Sequence, residues 1–267
     1  MELSGCIESL FVREHRAFDD RIRACAAVGL DAVEFWLWRD KDLDAIERAL
    51  GETGLRLTLF SVEPRYPIVD PATHREFVEG LRRSLRVAKR LEASALCVLA
   101  DDRGMGSGDD RPRTDATRQA QEAAIVAALK LAAPIAADAG VKLLLEPLNS
   151  ILDHKGHFLD RTPAALDIID QVAHPCVLLL YDMYHSTMMG ERPEAVLAGR
   201  GQAIGHVHVA DVPGRHEPGS GSIDWQSYMR TLTANGYQGA VGLEYWPTSA
   251  TADSIVSSRR LLHGARP

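Results

Sequence analysis

The chain reads as an α/β protein, a (β/α)8 TIM barrel formed as one domain over residues 1–267. Three observations predict this. Eight short apolar, strand-like runs alternate with helical stretches along the chain, and such alternation builds a parallel sheet covered by helices. No composition shift or linker divides the sequence. The last four runs each carry a carboxylate or imidazole near the C-terminal end, the end at which such barrels gather their chemistry. An open doubly wound sheet is the structural alternative, and the missing glycine fingerprint weakens it.

Leu3–Leu10 is the first strand. Ile22, Cys25, Ala26 and Val28 share a helical face over Asp19–Val28, which stops at Gly29. Ala32–Trp36 is strand two, and Leu43, Ile46 and Leu50 space a helix that closes at Gly51 or Gly54. Leu55–Phe60 alternates as strand three. After a loop holding Pro64 and Pro67, the residues Phe77, Leu81, Leu85 and Ala88 recur at helical spacing between Thr73 and Leu91. Ala95–Leu99 is strand four. The polar stretch 101–113 contains Gly104, Gly106 and Gly108 without dinucleotide spacing or a P-loop lysine, and reads as a mobile loop. An alanine-rich helix follows from Thr114 to Ala139, with Pro134 expected to kink it.

Val141–Leu145 is strand five, and Ser150–Arg161 is a loop long enough to suspect function. Thr162 and Pro163 supply a cap and a first-turn proline for the next helix. Strand six ends at Asp182, and Pro193 starts a short helix. Strand seven, Ile204–Val209, carries His206 and His208. Asp224 caps a helix that runs to Asn235 and Gly236, strand eight ends at Glu244, and Ala252–His263 is the last helix.

A net charge of −7 and a pI near 5.8 argue against non-specific nucleic-acid binding. The N-terminus has no basic region followed by an apolar core, and no apolar run approaches the ~20 residues of a membrane span. A cytoplasmic protein with a small-molecule hydroxycarbonyl or sugar substrate and no membrane or nucleic-acid partner is expected, as a homodimer or homotetramer. Cys6, Cys25, Cys97 and Cys176 form no C-x-x-C pair and read as buried, reduced thiols.

Val141-Lys142-Leu143-Leu144-Leu145 runs straight into Glu146. A buried carboxylate without a partner costs several kcal/mol or shifts its pKa. The same pattern recurs at Asp182, His208 and Glu244. In a barrel these four side chains converge on one mouth. Three crowded carboxylates repel, which a divalent cation resolves; oxygen donors with one imidazole suit Mn²⁺ or Mg²⁺ first, with Zn²⁺ and Co²⁺ also accommodated. His206, one layer deeper, reads as a hydrogen-bonded core histidine. His185 either polarises a substrate oxygen or caps the following helix. Arg215 either grips a substrate carboxylate or is a solvated loop charge, with Glu217 beside it to hold it in place. His154 and His157 read as loop residues. None of the five lysines lies at the C-terminal end of a strand, which disfavours Schiff-base chemistry.

Leu145-Glu146-Pro147-Leu148-Asn149, Tyr181-Asp182-Met183-Tyr184-His185 and the run from His206 through Arg215-His216-Glu217-Pro218-Gly219 to Gly221 resemble the hydroxypyruvate isomerase family of the xylose-isomerase-like barrels. Gly242-Leu243-Glu244-Tyr245 resembles that family's final strand. The resemblance implies that Glu146 and Glu244 are both metal ligands and the acid/base pair, that Asp182 completes the site, and that His185 and Arg215 meet the substrate. Two features depart from the family: glutamine stands there at the position of His208, where the related ketose epimerases have histidine, and the stretch 150–157 differs. The expected function is a metal-dependent isomerisation of a small hydroxycarbonyl compound through an enediol, with hydroxypyruvate and tartronate semialdehyde as the pair. Ketose 3-epimerisation and keto-inositol dehydration are alternative uses of the same site. A non-catalytic sugar- or partner-binding barrel is the alternative of a different class.

Overall fold

The computed structural model describes residues 1–101 and 114–264; the stretch 102–113, expected to be a mobile loop, lies outside the described residues. The elements in chain order are β1 (Leu3–Cys6), α1 (Phe18–Ala27), β2 (Ala32–Glu34), α2 (Leu43–Thr53), β3 (Arg56–Leu57), β4 (Leu59–Ser61), α3 (His74–Arg90), β5 (Ala95–Val98) and α4 (Arg118–Asp138). They continue with β6 (Lys142–Leu145), α5 (Thr162–Val172), β7 (Val177–Asp182), α6 (Met183–Met188), α7 (Pro193–Val196), β8 (Ile204–Val209), α8 (Trp225–Ala234), β9 (Val241–Leu243) and α9 (Thr251–His263).

All nine strands lie in one sheet, in the order β3-β2-β1-β9-β8-β7-β6-β5-β4. The pairings are parallel throughout. The expected third strand is divided at Thr58: β3 pairs with β2, and β4 pairs with β5. Thr58 donates its N–H to Val33 (2.9 Å) and accepts from Ala95 N–H (3.1 Å). One kinked segment therefore bonds to both ends of the sheet, and the ring closes as eight staves, the (β/α)8 barrel that the alternation predicts.

Strand parity decides what fills the barrel. In β7, Leu179 and Tyr181 join the large core under the helices, while Leu178 and Leu180 pack inside with Leu59, Ala95, Cys97 and Leu144. Val207 and Val209 of β8 likewise face the helices. His206 and His208, of the opposite parity, face inward, and so do Asp182 and the residues just past β6 and β9, Glu146 and Glu244.

Two local expectations change, the cap of α5 and the absence of a helix long and apolar enough to span a membrane. Arg161, not Thr162, is the cap of α5, and Thr162 N–H instead donates to Glu191 Oε1 (3.0 Å). α4 continues through Pro134 as one helix. It is also long and apolar enough to cross a membrane by length and composition. In the fold it packs between α3 and α5, with Ile125, Leu129, Ala132 and Ala136 buried. The four cysteines are free and buried, as expected.

Candidate active site

Glu146, Asp182, His208 and Glu244 do converge. Asp182 is the Cα partner of His208 across β7–β8, and His208 is the partner of Gly242 across β8–β9. Glu244 lies two residues beyond Gly242, on the same inward face. One donor atom from each of the four lies within 4.8 Å of the others, and all four residues are buried. His208 Nδ1 is 3.3 Å from Glu244 Oε2 and 3.5 Å from Glu146 Oε1, without a well-formed hydrogen bond to either. A donor shell at ~2.1 Å from a cation has neighbouring donors about 3 Å apart, so the cluster fits a divalent ion after a small contraction.

The carboxylates are held differently. Glu244 accepts from Trp36 Nε1 (2.6 Å) and from Arg215 Nη2 (2.5 Å). Burial pushes its carboxyl up, but His208 and Arg215 outweigh that and hold it well below the usual range. Among the described residues, Glu146 receives the Cys97 thiol, at 3.2 Å. Asp182 Oδ1 accepts from the N–H groups of Tyr184 (2.7 Å) and His185 (3.1 Å), so the residue that ends β7 also caps α6. Burial raises the Asp182 carboxyl to about 7, with Arg215 pulling the other way and Glu244 adding to the rise.

His185 has a defined tautomer. Its Nδ1 accepts from Asn149 N–H (3.2 Å) and from the Asn149 side-chain amide (2.7 Å). The amide orientation is fixed because Asn149 Oδ1 accepts from Leu152 and Asp153 N–H. The proton is then on Nε2, which is buried, 3.6 Å from Asp182 Oδ2, and has no hydrogen-bond partner. Burial, with Arg215 next, lowers the pKa and keeps the ring neutral. His185 offers a neutral N–H donor to the cavity rather than capping a helix, the role that falls to Asp182.

Arg215 is 6% exposed, so it is not a solvated loop charge. It pairs with Glu244 and approaches Asp182 (3.5 Å), and its guanidinium lies over the Tyr184 ring at 5.1 Å. Glu217 does not hold it. The Glu217 carboxylate is taken by Thr248, through N–H (3.0 Å) and Oγ1 (2.5 Å), and Glu217 is absent from the cavity wall.

Above the cluster is a cavity of about 150 Å³, partly open to solvent. Its wall is apolar at Phe35, Leu59, Leu99 and Leu148, and cationic at Arg65 and Arg215. Trp36 and Arg65 line it without having been singled out from the sequence, as do Cys97, read there only as a buried thiol, and His154, read only as a loop residue. Glu34, below, was missed as well. It lies 2.9 Å from His208 Nε2 and 3.0 Å from His206 Nε2; His206 is buried as expected, but its Nε2 makes no well-formed hydrogen bond.

The parallel barrel gathers carboxylates, imidazole and guanidinium at its C-terminal mouth. The chain belongs to the xylose isomerase-like TIM barrel family, whose pattern matches residues 22–262. It is 31% identical to the 2-oxo-tetronate isomerase of Cupriavidus necator, over 92% of this chain and 94% of that one. Identity to the hydroxypyruvate isomerase of Escherichia coli is 28%, covering 86% and 88%. Among solved structures, the AP endonuclease, family 2, of Brucella melitensis superposes with a TM-score of 0.85 at 26% identity, over 96% of this chain and 98% of that one. The relatives make this chain an isomerase of the family.

Proposed function

We propose that the protein is a divalent-metal-dependent isomerase of small 3-hydroxy-2-oxo acids, with hydroxypyruvate and tartronate semialdehyde as its pair. The observation that carries this is the placement of Glu146 and Glu244 within 3.5 Å of the same His208 nitrogen, from opposite sides of a buried donor cluster. Glu146, Asp182, His208 and Glu244 would hold Mn²⁺ or Mg²⁺, with Zn²⁺ or Co²⁺ also compatible. A cation bound there would hold the substrate's carbonyl and adjacent hydroxyl oxygens and acidify the carbon-bound proton.

Glu146 is the better placed base, because a single thiol is a weak restraint while Trp36 and Arg215 tie Glu244 down. Glu146 takes the C3 proton of the hydroxy acid and gives an enediol. Return of a proton to C2, with the hydroxyl proton passing from O3 to O2, completes the isomerisation with no net gain or loss of atoms. His185 Nε2–H donates to a substrate oxygen on which charge develops. Arg65 and Arg215 give the cavity the positive charge that a substrate carboxylate needs. The two relatives support this class, since both named compounds are 3-hydroxy-2-oxo acids. The net charge of −7 speaks against a nucleic-acid substrate.

His208 favours one second reading, a ketose 3-epimerase, in which the proton is returned from the opposite face. A panel of hydroxypyruvate, tetruloses, ribulose, fructose and inosose, run with Mn²⁺-loaded protein in D₂O, separates the two. Deuterium should enter the hydroxypyruvate product, and Glu146→Gln should lower that exchange by about 10²–10⁴-fold. Full exchange in the variant would refute the acid/base assignment. Turnover confined to neutral ketoses would select the epimerase, and no exchange with any compound would leave a binding barrel.

A further inference from the structure

Beneath the four donors is a second buried cluster that the chemistry above does not use. Glu34, at the end of β2, is 1% exposed. Its Oε1 lies 2.9 Å from His208 Nε2, and its Oε2 lies 3.0 Å from His206 Nε2. Thr58 Oγ1 donates to Oε2 at 2.9 Å. Both imidazole contacts are at charge-assisted hydrogen-bond distance, although the rings are turned off the ideal line. Gly242 lies against the group so closely that a Cβ there would sit 2.3 Å from Glu34 Oε1 and 2.7 Å from the His208 ring.

A buried ionic cluster of this kind is an expensive way to fill a barrel. The opposite side of the same interior is filled by Leu59, Ala95, Leu144 and Leu180, and apolar filling of equal volume is often the more stable choice. What the carboxylate supplies, and a leucine cannot, is direction. His208 has one nitrogen toward Glu34 and the other toward Glu146, Asp182 and Glu244. An imidazole can present a lone pair at Nδ1 only if its proton is on Nε2. A carboxylate accepting that proton fixes the tautomer, the ring plane and the basicity of the donor nitrogen.

We propose that Glu34 is a positioning residue that acts through His208: it accepts the Nε2 proton and so aims the Nδ1 lone pair into the carboxylate cluster, setting the affinity for the divalent cation. This rests on the metal-site reading above. It also accounts for the histidine at 208, since an imidazole can link the two carboxylate layers through opposite nitrogens.

The test is a Mn²⁺ titration of metal-stripped protein by calorimetry, with no activity measurement. Glu34→Gln should weaken binding by about 10–100-fold. His208→Gln should also weaken it, and the double variant should be no weaker than His208→Gln, because Glu34 then has no ligand to act through. Glu34→Gln binding within twofold of wild type would overturn the proposal, and so would an undiminished loss in the His208→Gln background. Two ions per chain, one of them lost in Glu34→Gln, would make the lower cluster a metal site and overturn it too. A wild type that binds no divalent ion would refute the metal-site reading together with this one. If Glu34→Gln does not fold, ¹⁵N NMR of wild-type protein loaded with Zn²⁺ decides. A protonated Nε2 and a metal-shifted Nδ1 on His208 support the proposal, and metal on Nε2 refutes it.

Discussion

His154 lies on the cavity wall at 8% exposure, with an Nδ1 that has no hydrogen-bond partner. Its ring is 5.4 Å from that of His185. Burial, then His157, then Arg215 lower its pKa to about 4 from the ordinary 6.5. The sign of the consequence follows from linkage. Between pH 6.5 and 4 the unfolded chain binds a proton at this residue that the folded chain refuses, so stability falls as pH drops through that window. The limit is on the order of 3 kcal/mol, reached below pH 4. In metal-stripped protein, His154→Asn should flatten urea-unfolding stability between pH 6.5 and 4 relative to wild type. An unchanged slope would mean that the ring is protonated in the fold. The Ser150–Arg161 loop gave no clue to this placement from sequence, because a loop has no periodicity to say where a side chain points. Arg65, on another loop, was invisible for the same reason. Arg215 and Glu217 show the complementary error: two residues apart on a loop, they read as a pair, yet the backbone sends one to Glu244 and the other to Thr248.

At the level of the element, Asp182 serves two structures at once. It ends β7, and its Oδ1 takes two N–H groups at the start of α6. The two roles can be separated by substitution. Asparagine keeps an oxygen for the cap but loses the ligand charge; alanine loses both. Removal of a cap oxygen costs about 1 kcal/mol. Asp182→Ala should therefore be less stable than Asp182→Asn by about that amount in metal-free protein, while both lose Mn²⁺ affinity. Equal stability of the two would show that the cap contributes nothing. The strand ends were the legible part of this site, since Glu146, Asp182 and Glu244 each close an apolar run. Glu34 obeys the same inward parity as Trp36, but Phe35 and Trp36 follow it and hide it inside the run. Cys97 is concealed by its own apolarity. Most helices were legible from spacing, caps or prolines, whereas α6 and the break of the third strand at Thr58 were not. The break is imposed by ring closure, through hydrogen bonds to Val33 on one side and Ala95 on the other.

At the scale of the molecule, the proposed donors come from four consecutive staves and span residues 146–244. In the unfolded chain they are far apart, so a cation that binds the cluster binds the folded state almost alone, and its binding energy adds to folding stability. At a free concentration 100 times Kd the gain is about 2.7 kcal/mol. For a chain of this size each kcal/mol moves Tm by roughly 2–4 °C. Saturation with Mn²⁺ should then raise Tm by about 5–11 °C over EDTA-treated protein, followed by thermal unfolding at fixed ionic strength. Mg²⁺ at equal concentration serves as the comparison for ion choice. His208→Gln and Glu244→Gln should each shrink the shift, because each deletes one stave's contribution. A variant on the outer layer, such as Leu131→Ala at 53% exposure, should show the full shift. Wild-type protein with no Tm response to any of Mn²⁺, Mg²⁺, Zn²⁺ or Co²⁺ would refute the cluster as a metal site. The three buried carboxylates would then be balanced by Arg215 and His208, beside the Trp36, Cys97 and backbone N–H donors already on them.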